Sequence, residues 1–136
     1  MLMLSCESST LRLLVVDDHE LTRLTLQLVF SAQKNIQVVG LASNGQEAVE
    51  MVKLHRPDVV ILDLQMPIMD GWSASHQIKA IAPNTQIIAY SSVEEHKLHE
   101  NTAQLDVICR KDVPTTELIS VVRQMGQRLT NGSVSP

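Results

Sequence analysis

Residues 57–71 read PDVVILDLQMPIMDG, and the fold follows from this stretch. Pro57 cannot continue a helix, so whatever precedes it stops there. The run Asp58–Leu62 is then apolar without alternation, as in a strand buried on both faces of a parallel sheet. Asp63 follows directly, an acid where a core run should leave the interior. Pro67 and Asp70-Gly71 punctuate the loop beyond it.

Four similar segments flank it. Leu11–Val16, Ile36–Ala42, Thr85–Tyr90 and Asp106–Arg110 read as strands. Helical patterns lie between them. Leu21, Leu24, Leu28 and Val29 repeat at helical spacing and predict one apolar face. Ser43 or Asn44 caps a helix whose inner face is Ala48, Val49 and Val52. Residues 72–82 carry Ala74, Ile78 and Ile81, and Pro83-Asn84 marks a turn. Residues 92–103 read as a polar helix, with Val93 and Leu98 its clear apolar positions. Leu118, Val121, Val122, Met125 and Leu129 give the last helix its face. Residues 1–10 read as an N-terminal extension, 11–129 as one domain, and 130–136 as a tail or linker. Five strand–helix repeats imply an α/β fold, a doubly wound parallel sheet in three layers. Its active crevice should lie beyond the carboxyl ends of the strands.

Composition narrows the function. The 136 residues suit one domain. Phe30, Trp72 and Tyr90 are the only aromatics, so the core must be aliphatic. A net charge of −4 supplies no basic face for nucleic acid. The apolar runs are strand-sized, far short of the roughly 20 residues that cross a bilayer. The first ten residues lack signal-peptide character. Cys6 and Cys109 make no disulfide framework, and a reduced, cytoplasmic protein is the economical reading.

Reactive side chains stand where the strands end: Asp17 and Asp18 after the first, Asp63 after the third, Ser91 after the fourth, Lys111 after the fifth. The fold should gather them. Clustered carboxylates repel and call for a cation, and hard oxygen donors suit Mg²⁺. One Mg²⁺ and the Lys111 ammonium would balance the three acids. A phosphoryl group would meet a metal, an ammonium and a hydroxyl there, the elements that phosphoryl transfer needs. A carboxylate is a competent nucleophile toward phosphorus.

Four ordered motifs carry a resemblance: LLVVDDH at 13–19, ILDLQMPIMDG at 61–71, IIAYS at 87–91 and CRK at 109–111. Together they resemble the receiver domain of two-component response regulators, over about residues 11–129. The resemblance implies a flavodoxin-like (βα)5 fold with strand order 2-1-3-4-5. It implies that Asp63 accepts phosphate from the phosphohistidine of a histidine kinase. Asp18 and Asp63 would bind Mg²⁺ directly, Asp17 largely through water, and the Gln65 backbone carbonyl would complete the protein ligands. Ser91 would donate its hydroxyl to the phosphoryl oxygen, and Lys111 would pair with it. Gly71 would supply a backbone conformation other residues resist. Phosphorylation would repack the 92–129 surface and control a partner, a phosphorylation-dependent homodimer or a downstream DNA-binding domain. The domain itself would be a switch rather than an enzyme on an external substrate, with no direct nucleic-acid or membrane contact.

Departures from the family pattern are specific. Ile108 stands where an aromatic is usual, so the aromatic part of the switch is missing. KDVPTTEL at 111–118 resembles the NarL/FixJ class, whose members commonly add a helix-turn-helix domain. The chain is then either a stand-alone receiver or a fragment cut near Pro136. Val93, two after Ser91, cannot orient water by hydrogen bonding, which implies modest dephosphorylation.

Simpler readings compete at single residues. Ser92 rivals Ser91 and Arg110 rivals Lys111, though alternation turns adjacent side chains opposite ways. His19 reads as a loop residue, Cys109 as a small buried hydrophobe, Trp72 as helix-start packing. His96 and His99 share a helix face, but a zinc site there lacks other ligands. A flavin module would want a phosphate cradle where Asp17-Asp18 stand, and a Mg²⁺-dependent phosphatase would want an Asp-x-Asp nucleophile that the chain lacks.

Overall fold

The computed structural model describes residues 9–92 and 104–134. Its elements are β1 (Leu11–Val16), α1 (Glu20–Ser31), β2 (Ile36–Ala42), α2 (Gly45–His55), β3 (Val59–Leu62), α3 (Gly71–Ile81), β4 (Gln86–Ser91), β5 (Val107–Arg110) and α4 (Thr115–Val134). All strand pairs are parallel, in the order β2-β1-β3-β4-β5. This is the expected flavodoxin-like order. The helix expected over 92–103, with Val93, His96 and His99, lies outside the described residues apart from the exposed Ser92.

Strand alternation builds two cores. Leu14, Val16, Val60, Leu62, Ile87 and Ala89 face one side and meet Ala48, Val49, Val52, Ala74 and Ile78 of α2 and α3. Leu13, Val15, Val59, Ile61, Ile88 and Tyr90 face the other and meet Leu26, Phe30, Leu118, Val122 and Met125 of α1 and α4. The central strand β3, Val59–Leu62, is therefore apolar at every position, because both its faces are covered.

Caps fix the helix starts. Asn44 Oδ1 accepts from the Glu47 amide at 2.9 Å, while Glu47 Oε1 accepts from the Ser43 amide at 2.7 Å. Asp70 Oδ1 accepts from the Ser73 amide at 2.9 Å. The strands begin one residue later than expected where a side chain takes the backbone's partner. Asp58 Oδ2 accepts from the Arg12 amide at 2.9 Å, and Asp106 Oδ2 from the Ile87 amide at 2.7 Å.

Three expectations need correction. Of the face Leu21, Leu24, Leu28 and Val29, Val29 packs half-buried against the core, but the three leucines do not enter it: Leu21 is 78% and Leu28 74% exposed. Leu26 and Phe30 do so instead. The leucine-rich helix offers two stripes at helical spacing, and the one carrying Phe30 is buried. The backbone at Gly71 needs no special conformation, since its φ is not positive. Gly71 is required for proximity: a Cβ there would lie 2.2 Å from the Asp63 carbonyl oxygen. The positive φ of this loop falls on Ile68, at 70°. Finally, α4 continues through Val134, so residues 130–134 are helical rather than a loose tail. Once nucleated, a helix gains one hydrogen bond for each residue added.

Candidate functional site

The carboxyl ends of β1, β3, β4 and β5 meet at one edge of the sheet. Strand pairing starts the convergence. The Asp63 amide donates to the Val16 carbonyl at 3.0 Å, and the Asp17 amide to the Ala42 carbonyl at 3.0 Å. The two acids are thus seated on adjacent strands. The Lys111 amide donates to the Ser91 carbonyl at 2.7 Å, which carries β5 alongside β4 past its last residue. Lys111 Nζ reaches Asp17 Oδ2 at 3.1 Å and Asp63 Oδ2 at 3.5 Å. These are ion-pair distances.

Asp17 and Asp63 are nearly closed to solvent, at 1% and 2% exposure. Burial, reinforced by the Asp17 carboxylate, pushes the Asp63 carboxyl up to about 7 against the lowering pull of Lys111. Burial works against the Lys111 ammonium too, but Asp63 and Asp17 outweigh it and hold its pKa above the ordinary value. The ammonium also stands 5.7 Å from the centre of the Tyr90 ring.

Among the described residues, four buried side-chain oxygens have no hydrogen-bond partner: Asp17 Oδ2, Asp18 Oδ1, Asp63 Oδ2 and Ser91 Oγ. Unpaired buried acceptors are costly, and carboxylate oxygens facing one another cost more. A hard divalent cation would satisfy the three carboxylates, so the donor set fits Mg²⁺. Ligand atoms of Asp17, Asp18, His19 and Asp63 all lie within 4.8 Å of one another. Gln65 is adjacent, its amide donating to Asp63 Oδ1 at 3.2 Å.

The rivals separate as alternation requires. Ser91 is buried and Ser92 exposed. Arg110 points outward and pairs with Asp112 at 2.7 Å, while Lys111 enters the acidic cluster. Cys109 is buried, which raises its thiol pKa. Ile108 packs half-buried against the α2–α3 core.

Two features escaped the sequence. His19 Nδ1 lies 3.2 Å from Asp17 Oδ1 and 3.3 Å from Asp18 Oδ1. The triplet Asp17-Asp18-His19 was its visible signal. Arg23 Nη1 donates to the Asp17 carbonyl at 2.8 Å and ties α1 to the acidic turn. Nothing in a helical pattern announces that contact. A cavity of about 340 Å³ lined by Asn35, Asp58 and Arg123 sits at the opposite end of the strands and takes no part.

Comparison with known proteins gives this fold a family. The pattern of the response regulator receiver domain matches residues 13–123. A protein-glutamate methylesterase/protein-glutamine glutaminase of Photobacterium profundum is 38% identical over 97 residues, covering 71% of this chain and 24% of that protein. The chain thus spans about a quarter of the length of such curated relatives. The signal receiver domain of the response regulator NarL of Mycobacterium tuberculosis superposes with TM-score 0.80 at 30% identity, covering 88% of this chain and 98% of that one. The CheX–CheY–BeF3–Mg complex of Borrelia burgdorferi matches with TM-score 0.75 at 25% identity, covering 84% and 87%.

Proposed function

This chain belongs to the response regulator receiver domain family, and we propose that it is a phosphorylation-operated switch whose acceptor is Asp63. One observation carries the reading. Asp63 sits buried at the end of β3 with an unpaired oxygen, an ammonium 3.5 Å away and two further acids beside it.

A histidine kinase presents its phosphohistidine to this edge. An Asp63 carboxylate oxygen attacks phosphorus, the O–P bond forms, and the P–N bond breaks with its electron pair returning to the imidazole. Asp17, Asp18, Asp63 and the Gln65 backbone carbonyl would hold a Mg²⁺, which would supply positive charge to the phosphoryl oxygens when bound. Lys111 transfers its contact from Asp63 to the new oxygens. Ser91 Oγ, buried and unpaired, turns its hydroxyl onto one of them. That movement biases the strand-end loops between two states, and the surface over 92–129 reports the change to a partner or a second copy.

The receiver unit in this reading spans residues 11–129. The family is a signalling switch, and relatives such as the methylesterase join it to an enzyme in a much longer protein. This chain's own role is phosphoacceptance rather than turnover of an external substrate. No helix among the described residues is long and apolar enough to cross a membrane. Cytoplasmic placement, beside the kinase, fits the buried free thiol of Cys109.

Incubation with a small phosphodonor and Mg²⁺, read by intact mass, tests the proposal. Wild type should gain one phosphoryl mass, and Asp63→Asn none. Equal gain by both proteins would reject Asp63.

A further inference from the structure

We propose that His19 is a further ligand of this metal site, through Nδ1, and biases it toward first-row transition cations over Mg²⁺. The inference rests on the metal site of the receiver reading and deepens it.

His19 occupies the N-cap of α1 but does not cap it, since its side chain makes no hydrogen bond to the helix amides. N-caps usually use a short side-chain oxygen for that purpose. Here the ring turns back over the acids. Its backbone amide donates to Asp17 Oδ1 at 2.9 Å, which anchors the residue. Nδ1 then stands 3.2 Å from Asp17 Oδ1 and 3.3 Å from Asp18 Oδ1. Octahedral ligands about 2.1 Å from a cation lie about 3.0 Å apart along each edge, so these spacings approach the edges of such a shell. Asp63 completes the set, with one ligand atom from each of the four residues within 4.8 Å of the others.

Independent support comes from Asp17 Oδ2 and Asp63 Oδ2, deeply buried oxygens of the same cluster that lack a hydrogen-bond partner. Among the described residues, the one cation near them is the Lys111 ammonium, a single charge shared between two acids. An all-oxygen shell suits Mg²⁺ and Mn²⁺, whereas an imidazole nitrogen suits the later first-row cations such as Ni²⁺, Cu²⁺ and Zn²⁺. Exposure of the ring leaves it free to rotate by the small amount that ligation needs.

Calorimetric titration of the full chain with Mg²⁺ and, separately, Cu²⁺ tests this, together with spin-echo detection of ¹⁴N coupling to bound Cu²⁺. Wild type should show imidazole ¹⁴N coupling. His19→Ala should lose it and bind Cu²⁺ roughly tenfold more weakly, with Mg²⁺ affinity changed less than about twofold. His19→Asn restores a good N-cap and should lose the same coupling, which separates ligation from helix stability. Absence of ¹⁴N coupling in wild type, or equal weakening of both metals in His19→Ala, would overturn the proposal. Mg²⁺ binding that survives Asp18→Asn would instead remove the underlying metal site, and His19 with it.

Discussion

Lys111 Nζ stands 3.5 Å from Asp63 Oδ2, although their strands, β5 and β3, never pair and are separated by β4. The lysine stem spans a whole strand to reach the acid. It also contacts Asp17 at 3.1 Å, so one ammonium serves two buried carboxylates. Removing it should leave both uncompensated. Lys111→Met is expected to lower stability by about 1–3 kcal/mol at pH 8 in chelator. At pH 5.5 the loss should shrink, because Asp63 can then hold a proton. Urea unfolding at both pH values checks this, and an equal loss at each would count against the pairing.

The sign of the pH effect at Asp63 is the reverse of that of an ordinary salt-bridged acid. Its carboxyl is raised from 3.8 to about 7 in the fold. Between those values the native state holds a proton that the unfolded chain has lost. The contribution of Asp63 to stability therefore falls as pH rises from about 4 to about 7 and stays low above that. In chelator, Asp63→Asn should raise Tm by several degrees at pH 8, roughly what a few kcal/mol produces in a domain of this size, and by little at pH 4.5. Mg²⁺ should raise the Tm of wild type at pH 8 and do much less for Asp63→Asn. Thermal melts across pH, with and without Mg²⁺, decide both points.

The sequence showed the sheet well because its strands are buried on both faces. Runs such as Val59–Leu62 have no polar alternative, and the acid that follows marks the point where the chain leaves the core. The strand-end set Asp17, Asp18, Asp63, Ser91 and Lys111 was legible for the same reason: topology alone places strand ends together. What failed was finer. Two leucine-bearing stripes on α1 satisfy the same spacing, and only packing against Val15 and Ile36 chooses between them. The purpose of Gly71 was also hidden, since closeness to the Asp63 carbonyl depends on how the loop folds back, not on local preference.

That loop carries a second local conflict. Ile68 has φ 70° and is 82% exposed, while the Met69 amide donates to the Pro67 carbonyl at 2.7 Å across it. A β-branched residue in the left-handed region costs about 1–2 kcal/mol, and here no burial repays it. Ile68→Gly should therefore stabilise the protein by roughly 0.5–1 kcal/mol after the added freedom of the unfolded chain is subtracted. Ile68→Val, with the same branching, should be neutral. A shift in urea midpoint for the glycine variant alone would establish the strain.

Glycines 71 and 126 provide a matched test of close approach. A Cβ at Gly71 would meet backbone, the Asp63 carbonyl oxygen at 2.2 Å and the Leu64 Cα at 2.7 Å. A Cβ at Gly126 would meet the tip of a side chain, Leu11 Cδ1 at 2.3 Å. Leucine can rotate away, and alanine is the better helix former by about 1 kcal/mol. Gly126→Ala should therefore stay within about 1 kcal/mol of wild type. Gly71→Ala should cost roughly 2 kcal/mol or more and slow phosphoryl uptake, because the carbonyl it displaces belongs to the acceptor. Unfolding curves and uptake rates measured on both variants separate the two cases.

The two faces of α1 predict opposite responses to truncation. Leu26 and Phe30 are closed to solvent and pack against Leu13, Val15 and Ile36. Leu26→Ala should cost about 2–4 kcal/mol and Phe30→Ala about 3–5, since each leaves a cavity in a close-packed layer. Leu21→Ser and Leu28→Ser remove side chains that already face water. Each should change stability by no more than about 0.5 kcal/mol beyond helix propensity. The test is a set of four single variants under one denaturant protocol. If Leu21→Ser and Leu28→Ser proved as costly as Leu26→Ala, the helix would be rotated by about half a turn from its observed setting. Arg23 would then lose its hold on the Asp17 carbonyl, and the acidic turn would lose its tie to α1. The same four proteins therefore test both the packing of the helix and its support of the site.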